Sequence, residues 1–257
     1  MSEFLIEQAM REAIELQNRN QLDDAKSIYK KIILHDSNNS DAYHLISLIY
    51  LVEGKLDEAR SNILTAIELQ PDISAYHSNY GNILYQSNNL EFAIQEHKRA
   101  IKLDKKNFQA FYSLGVVYSH LKNYEKAIEY YKKALSLDAN SSVAHNNLAN
   151  IYNNVNPNLA EEHYLKVLEL VPNDAMPYIN ISNYYLKNTK YKKCLQILEE
   201  ALDKDIKVKE LFNNLGIAYY ATKDNIKAKT MFEHAIKLDS NYAHALDNLK
   251  NINNIDK

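Results

Sequence analysis

Small and apolar residues return along this chain at a nearly fixed interval. Ala25, Ala59, Ala93, Ala127, Ala160, Cys194 and Ala228 are spaced by 34, 34, 34, 33, 34 and 34 residues. Seven residues after each stands Ile32, Ala66, Ala100, Ala134, Val167, Ala201 or Ala235. Four after each comes Tyr29, Ile63, His97, Tyr131, Tyr164, Leu198 or Phe232, apolar or aromatic except for His97. A second register runs upstream: Ala13, Ser47, Gly81, Gly115, Ala149, Ser182 and Gly216 are all small, and three residues on lies Leu16, Tyr50, Leu84, Tyr118, Tyr152, Tyr185 or Tyr219. Polar residues fill the positions between, so each interval predicts two amphipathic helices of about a dozen residues.

Short polar turns such as Glu53-Gly54-Lys55 and Lys122-Asn123-Tyr124 join the two helices. The small residues let the paired backbones approach closely. One hairpin cannot bury its own apolar face, so neighbouring hairpins must stack. Pro71 and Pro172 fall just after second helices, which they cannot continue. The fifth repeat is one residue short, in its inner turn from Asn153 to Ala160. There Asn156-Pro157 is expected to cap and open the second helix, with Pro157 at its first position. The expectation is an all-α, single solenoid over residues 1–257. Its repeats fall at about 6–39, 40–73, 74–107, 108–141, 142–174, 175–208 and 209–242, followed by a capping helix at 243–256. Leu246, Leu249 and Ile252 line one side of that helix, and its polar remainder is read as the mark of a chain that ends there.

Composition narrows the function. The 257 residues carry a formal net charge of −3, which disfavours a dedicated nucleic-acid or anionic-membrane binder. A single cysteine, Cys194, excludes an intrachain disulfide and a Cys-based zinc site. The acidic start MSEFLIEQAM is unlike a signal peptide, and no apolar run is long enough to span a bilayer, so the expected location is cytoplasmic. No phosphate-binding loop, nucleophile elbow or catalytic triad is present, and the repeats leave no length for a catalytic domain. The chain therefore reads as a non-enzyme, with no catalytic residue, metal site or cofactor. His77 and His145 stand where a large aromatic is usual and read as packing residues.

The segment FYSLGVVYSHLKNYEKAIEYYKKALSLD, from Phe111 to Asp138, resembles the tetratricopeptide repeat at nearly every signature position. The resemblance runs from about Ile6 to Tyr242, with no tryptophan and with Cys194 at a usual alanine. It implies a right-handed superhelix whose first helices line a concave groove that holds a partner.

Asparagine is concentrated on those first helices. HNNLANIYNN, residues 145–154, places Asn146, Asn147, Asn150, Asn153 and Asn154 on one helical face, away from Leu148, Ala149 and Tyr152. Asn79 with Asn82, Asn180 with Asn183, and Asn213 with Asn214 repeat the offsets. Carboxamides both donate and accept, so a row of them can grip the backbone of an extended peptide. Tyr112 shares that face. One asparagine per repeat, two positions before the small residue, is similar to the tetratricopeptide arrays of protein O-GlcNAc transferases. The match holds at Asn79, Asn147, Asn180 and Asn214 and fails at Arg11, Leu45 and Ser113.

The groove-facing positions carry few charges, namely Glu7, Arg11, Asp41, Lys187 and Glu210. That excludes the Lys- and Arg-built carboxylate clamp of chaperone-binding arrays and a basic RNA groove. The expected function is a protein-interaction scaffold holding an extended peptide in a neutral groove, with no nucleic acid partner and no membrane insertion. The alternative is a substrate-recognition array of, or acting in trans with, an O-GlcNAc-transferase-like glycosyltransferase. Self-association through exposed repeat ends is a third reading.

Overall fold

The computed structural model describes residues 3–255, with side chains described over 5–253. Fifteen α-helices and no strand occur among the described residues. They form seven consecutive hairpins and a final helix: α1(Glu3–Asn18) with α2(Leu22–His35), α3(Ser40–Val52) with α4(Leu56–Leu69), α5(Ser74–Gln86) with α6(Leu90–Leu103), and α7(Phe108–His120) with α8(Tyr124–Leu137). Then come α9(Ser142–Val155) with α10(Pro157–Leu170), α11(Ala175–Lys187) with α12(Tyr191–Asp203), α13(Lys209–Ala221) with α14(Asn225–Leu238), and α15(Ala243–Ile255). Asp256, the last residue of the expected capping helix, lies outside the described residues. The helices group into two compact units, Met1–Ala139 with four hairpins and Asn140–Lys257 with three hairpins and α15.

The periodic alanines are the packing points. Ala25, Ala59, Ala93, Ala127, Ala160 and Ala228 are fully buried, as is Cys194, whose thiol burial pushes up to about 12 and so keeps protonated and inert. The second register explains itself by contact. A Cβ added to Gly81, Gly115 or Gly216 would come within 2.6, 2.6 and 2.4 Å of the rings of His97, Tyr131 and Phe232, respectively. Each glycine is therefore the floor on which the ring of its partner helix lies. Within each unit the second helix of one hairpin packs on the first helix of the next, and first helices also touch one another: α3 with α5, α5 with α7, α11 with α13 and α13 with α15.

The inner turns share one geometry. Asn20, Gly54, Asn88, Lys122, Thr189 and Lys223 occupy the same register position, and all have φ between 55° and 71°. After each, the next backbone N–H returns to a carbonyl five residues back, as in Lys55→Tyr50 (2.9 Å) and Lys190→Tyr185 (2.8 Å). This is the Schellman closure, which satisfies the last carbonyls of the first helix. The shortened fifth hairpin lacks that residue. Asn156 there has φ −155°, and its N–H bonds the Tyr152 carbonyl at 2.7 Å. Pro157 opens α10 as its first residue, as expected, but the Asn156 side chain makes no cap bond, contrary to expectation.

A polar cluster braces this altered corner instead. Glu161 accepts hydrogen bonds from Lys190 (2.6 Å), Lys193 (2.5 Å) and the Tyr185 hydroxyl (3.1 Å), while Tyr184 donates to the Pro157 carbonyl at 2.7 Å. Burial pushes the Glu161 carboxyl up, and the two ammonium groups more than reverse this, holding it at about 2.

Candidate functional site

The asparagines predicted to face a ligand lie on the first helices, and most are engaged with the neighbouring repeat. In the first unit, Asn79 on α5 donates to His44 Nε2 on α3 at 2.7 Å, and Asn82 accepts from the Ser113 hydroxyl of α7 at 3.0 Å. In the second unit, Asn180 on α11 donates to Asn146 Oδ1 on α9 at 2.8 Å. Asn214 on α13 donates to Asn183 Oδ1 at 2.8 Å and lies 2.9 Å from the Ser182 hydroxyl. Asn248 on α15 donates to Asn213 Oδ1 at 3.0 Å.

A rule emerges from these contacts. Asn79, Ser113, Asn180 and Asn214, each two before a small residue, and Asn248 at the same register position each reach back to the preceding repeat. Each finds an acceptor either one position before its own counterpart there (His44, Asn146, Asn213) or three positions after it (Asn82, Asn183). The asparagine stripe is thus in large part a set of ties between stacked hairpins. Asn213 and Asn214 are only 5% and 6% exposed, so both fall short of the ligand-facing role expected of them. Asn79, Asn82, Asn146, Asn147 and Asn180 are half-buried, and Asn150 and Asn183 are exposed. Asn150 accepts from the Tyr164 hydroxyl at 2.6 Å. Tyr112 is half-buried, its ring stacked on Phe108 at 6.0 Å.

A tied carboxamide keeps bonding capacity. An asparagine that donates once retains a second N–H and both lone pairs of its carbonyl. The first helices of the second unit therefore present Asn146, Asn180 and Asn183 as fixed, pre-oriented donors and acceptors beside exposed Asn150. Charged residues on this face have local hydrogen-bond partners: Lys187 donates to Asn154 at 2.8 Å. In the first unit Asp41 accepts from the Tyr76 hydroxyl at 2.6 Å, and Arg11 pairs with Glu7 at 3.4 Å.

The ties have a measurable weight. Asn214→Ala removes a buried donor and leaves Asn183 without it, so the α11–α13 interface is expected to lose about 1–2 kcal/mol. Amide exchange should show faster opening of α13 to α15, while α9 and α10 stay protected; unchanged exchange would mean the tie contributes nothing.

His77 and His145, packing residues by sequence, have polar partners in the structure. His77 is buried, with Nδ1 2.7 Å from Glu96 Oε2 and Nε2 2.8 Å from the Pro71 carbonyl. His145 Nδ1 lies 2.8 Å from His163 Nδ1 of α10. Spacings of 19 and 18 residues across a helical hairpin carry no motif, so only the fold reveals these pairs. His44 is kept neutral by burial, opposed by Asp41, with its pKa lowered to about 4, which suits its role as acceptor from Asn79. His97 is fully buried, neither ring nitrogen has a hydrogen-bond partner, and burial lowers its pKa to about 4. No group of three or more metal-ligating side chains occurs among the described residues, and no described helix is long and apolar enough to cross a membrane.

Comparison with known proteins places this geometry. Tetratricopeptide repeat models match residues 108–141 and, in a second form, 40–73 and 210–242, and a TPR repeat model matches 81–122. The TPR repeat-containing protein MJ1428 of Methanocaldococcus jannaschii is 30% identical over 94 residues, which is 37% of this chain and 16% of that protein. Protein O-mannosyl-transferase TMTC3 of Mus musculus is 31% identical over 86 residues, 33% of this chain and 9% of that protein. The matched stretches are thus small parts of both relatives. Among solved structures, the C-terminal part of a TPR repeat-containing protein from Cytophaga hutchinsonii superposes with a TM-score of 0.70 at 22% identity, covering 93% of this chain and 99% of that one. YrrB, described as a TPR protein with an unusual peptide-binding site, superposes with a TM-score of 0.60 at 24% identity, covering 73% and 97%. Helix count, turn geometry, small-residue register and these matches agree: the chain is built from tetratricopeptide repeats.

Proposed function

We propose that the chain is a protein-interaction scaffold that holds an extended peptide segment against the first-helix face of its second unit. The carrying observation is the row of asparagines on α9 and α11, held in place by inter-repeat bonds yet with donors and acceptors to spare. Pre-orientation lowers the entropic cost of binding, and carboxamides pair with any peptide backbone, so the face suits a disordered segment of varied sequence. The low charge of the face favours a neutral segment over a phosphorylated or nucleic-acid ligand. YrrB, of the same fold, is described as having a peptide-binding site, which supports the general use of such a surface.

The test is selection from a displayed library of unstructured peptides on the full-length chain, followed by binding to N150R and N183R. Both positions are exposed. The two changes also remove the acceptors of Tyr164 and Asn214, so each variant is expected to lose about 1–2 kcal/mol of stability yet stay folded, which circular dichroism verifies, and to lose about tenfold or more in affinity. Selected peptides that bind the variants as well as the parent would remove the face from consideration.

A second reading is favoured by the similarity to the O-mannosyl-transferase: the array presents substrate segments to a protein glycosyltransferase. Enrichment of Ser- and Thr-rich acceptor peptides in the same selection would support it.

A further inference from the structure

The His145–His163 pair lies outside the asparagine row and outside the packing core. His145 projects from α9 and His163 from α10, and both are half-buried. Their Nδ1 atoms are 2.8 Å apart and their ring centroids 5.0 Å apart, with the ring planes inclined at 41°. The rings of Tyr152 and His163 lie nearly parallel, with centroids 5.6 Å apart and planes inclined at 11°.

We propose that this pair is a two-histidine site for a borderline divalent transition-metal ion such as Zn²⁺ or Cu²⁺. Imidazole nitrogens bind these ions at roughly 2.0–2.1 Å, which places each ring centroid about 3.2 Å from the metal. Two centroids 5.0 Å apart then subtend about 100° at a shared ion, close to the tetrahedral angle. The helices need not move. A tilt of each ring by about 40° about its own centre turns the Nδ1 lone pairs from each other onto a common point. In the metal-free protein one Nδ1 carries the proton that the other accepts. On binding, that proton leaves Nδ1 and the same ring is reprotonated at Nε2, so both rings remain neutral and the ion gains two nitrogen ligands. Water completes the coordination sphere. Two neutral ligands from adjacent helices make a reversible site, one that clamps the fifth hairpin, where the regular turn is missing.

Neighbouring repeats supply fold-preserving substitutions. The register position of His145 holds Phe111 and Phe212 elsewhere, and that of His163 holds Tyr130. Zn²⁺ titration of the full chain by calorimetry should show one saturable site, weakened at least tenfold in both H145F and H163Y. Nitrogen NMR of the labelled imidazoles should place the metal at Nδ1 of both rings. Equal affinity in parent and variants, coordination at Nε2, or no saturable binding up to millimolar Zn²⁺ would each overturn the proposal. Circular dichroism of the two variants verifies that a loss of binding is not a loss of fold.

Discussion

His97→Phe is expected to stabilise the first unit by about 1–3 kcal/mol at pH 7, and by about 3 kcal/mol more at pH 4. The first part follows from the buried imidazole, whose two nitrogens have no partner, so the folded state bears a desolvation cost that Phe does not incur. Phe232 already occupies the same register position beneath Gly216, as His97 does beneath Gly81, so the ring has a precedent in this chain. The second part follows from linkage. The folded pKa of His97 is lowered to about 4, against about 6.5 for a free histidine. Between those values the unfolded chain binds a proton that the folded chain refuses, so stability falls as pH falls from 6.5 to 4. The Phe variant lacks that loss. Urea midpoints measured from pH 7 to pH 4 should diverge between parent and variant. A constant difference would show that the ring is solvated or protonated in the fold.

Gly216→Val is the opposite case, a small change expected to cost about 2–3 kcal/mol. Replacing a helical glycine ordinarily helps by lowering the entropy of the unfolded chain. Here the added Cβ would sit 2.4 Å from the Phe232 ring, a core side chain with nowhere to retreat. The chain itself indicates the compensation. Where the small position is Ser47 or Ser182, the residue sixteen further on is Ile63 or Leu198, and each glycine is matched by a ring. Phe232→Leu in the Gly216→Val background should therefore recover part of the loss although it costs stability alone. A double-mutant cycle in urea measures this coupling, with amide exchange assigning the effect to α13 and α14. Additive losses would mean that the two positions do not share the space.

Much of this fold is legible in the residues because its interactions are local and recur. Seven copies of one pattern place helices, turns and packing points, and the structure bears out the alanine register, the small residues and Pro157. The turn residues are less readable. Thr189 and Lys122 take a positive φ that neither favours intrinsically, imposed by the close pairing of the two helices. The asparagine stripe shows the limit more sharply. Periodicity assigns Asn146 and Asn214 to a helical face, but a face says nothing about whether a carboxamide meets a ligand or a neighbouring hairpin. Asn214 meets the preceding hairpin and is buried. The histidine pair was invisible for a related reason: partners 18 residues apart, brought together across a hairpin, leave no helical spacing behind.

The two kinds of asparagine tie give the array a word order. Asn180 needs an acceptor one place before its counterpart in the preceding repeat, whereas Asn214 needs one three places after. Repeats that look interchangeable by signature are therefore not interchangeable as neighbours. Shuffling them would set a carboxamide opposite the wrong residue at the new junctions, and duplication of a single repeat would preserve its packing while breaking its syntax.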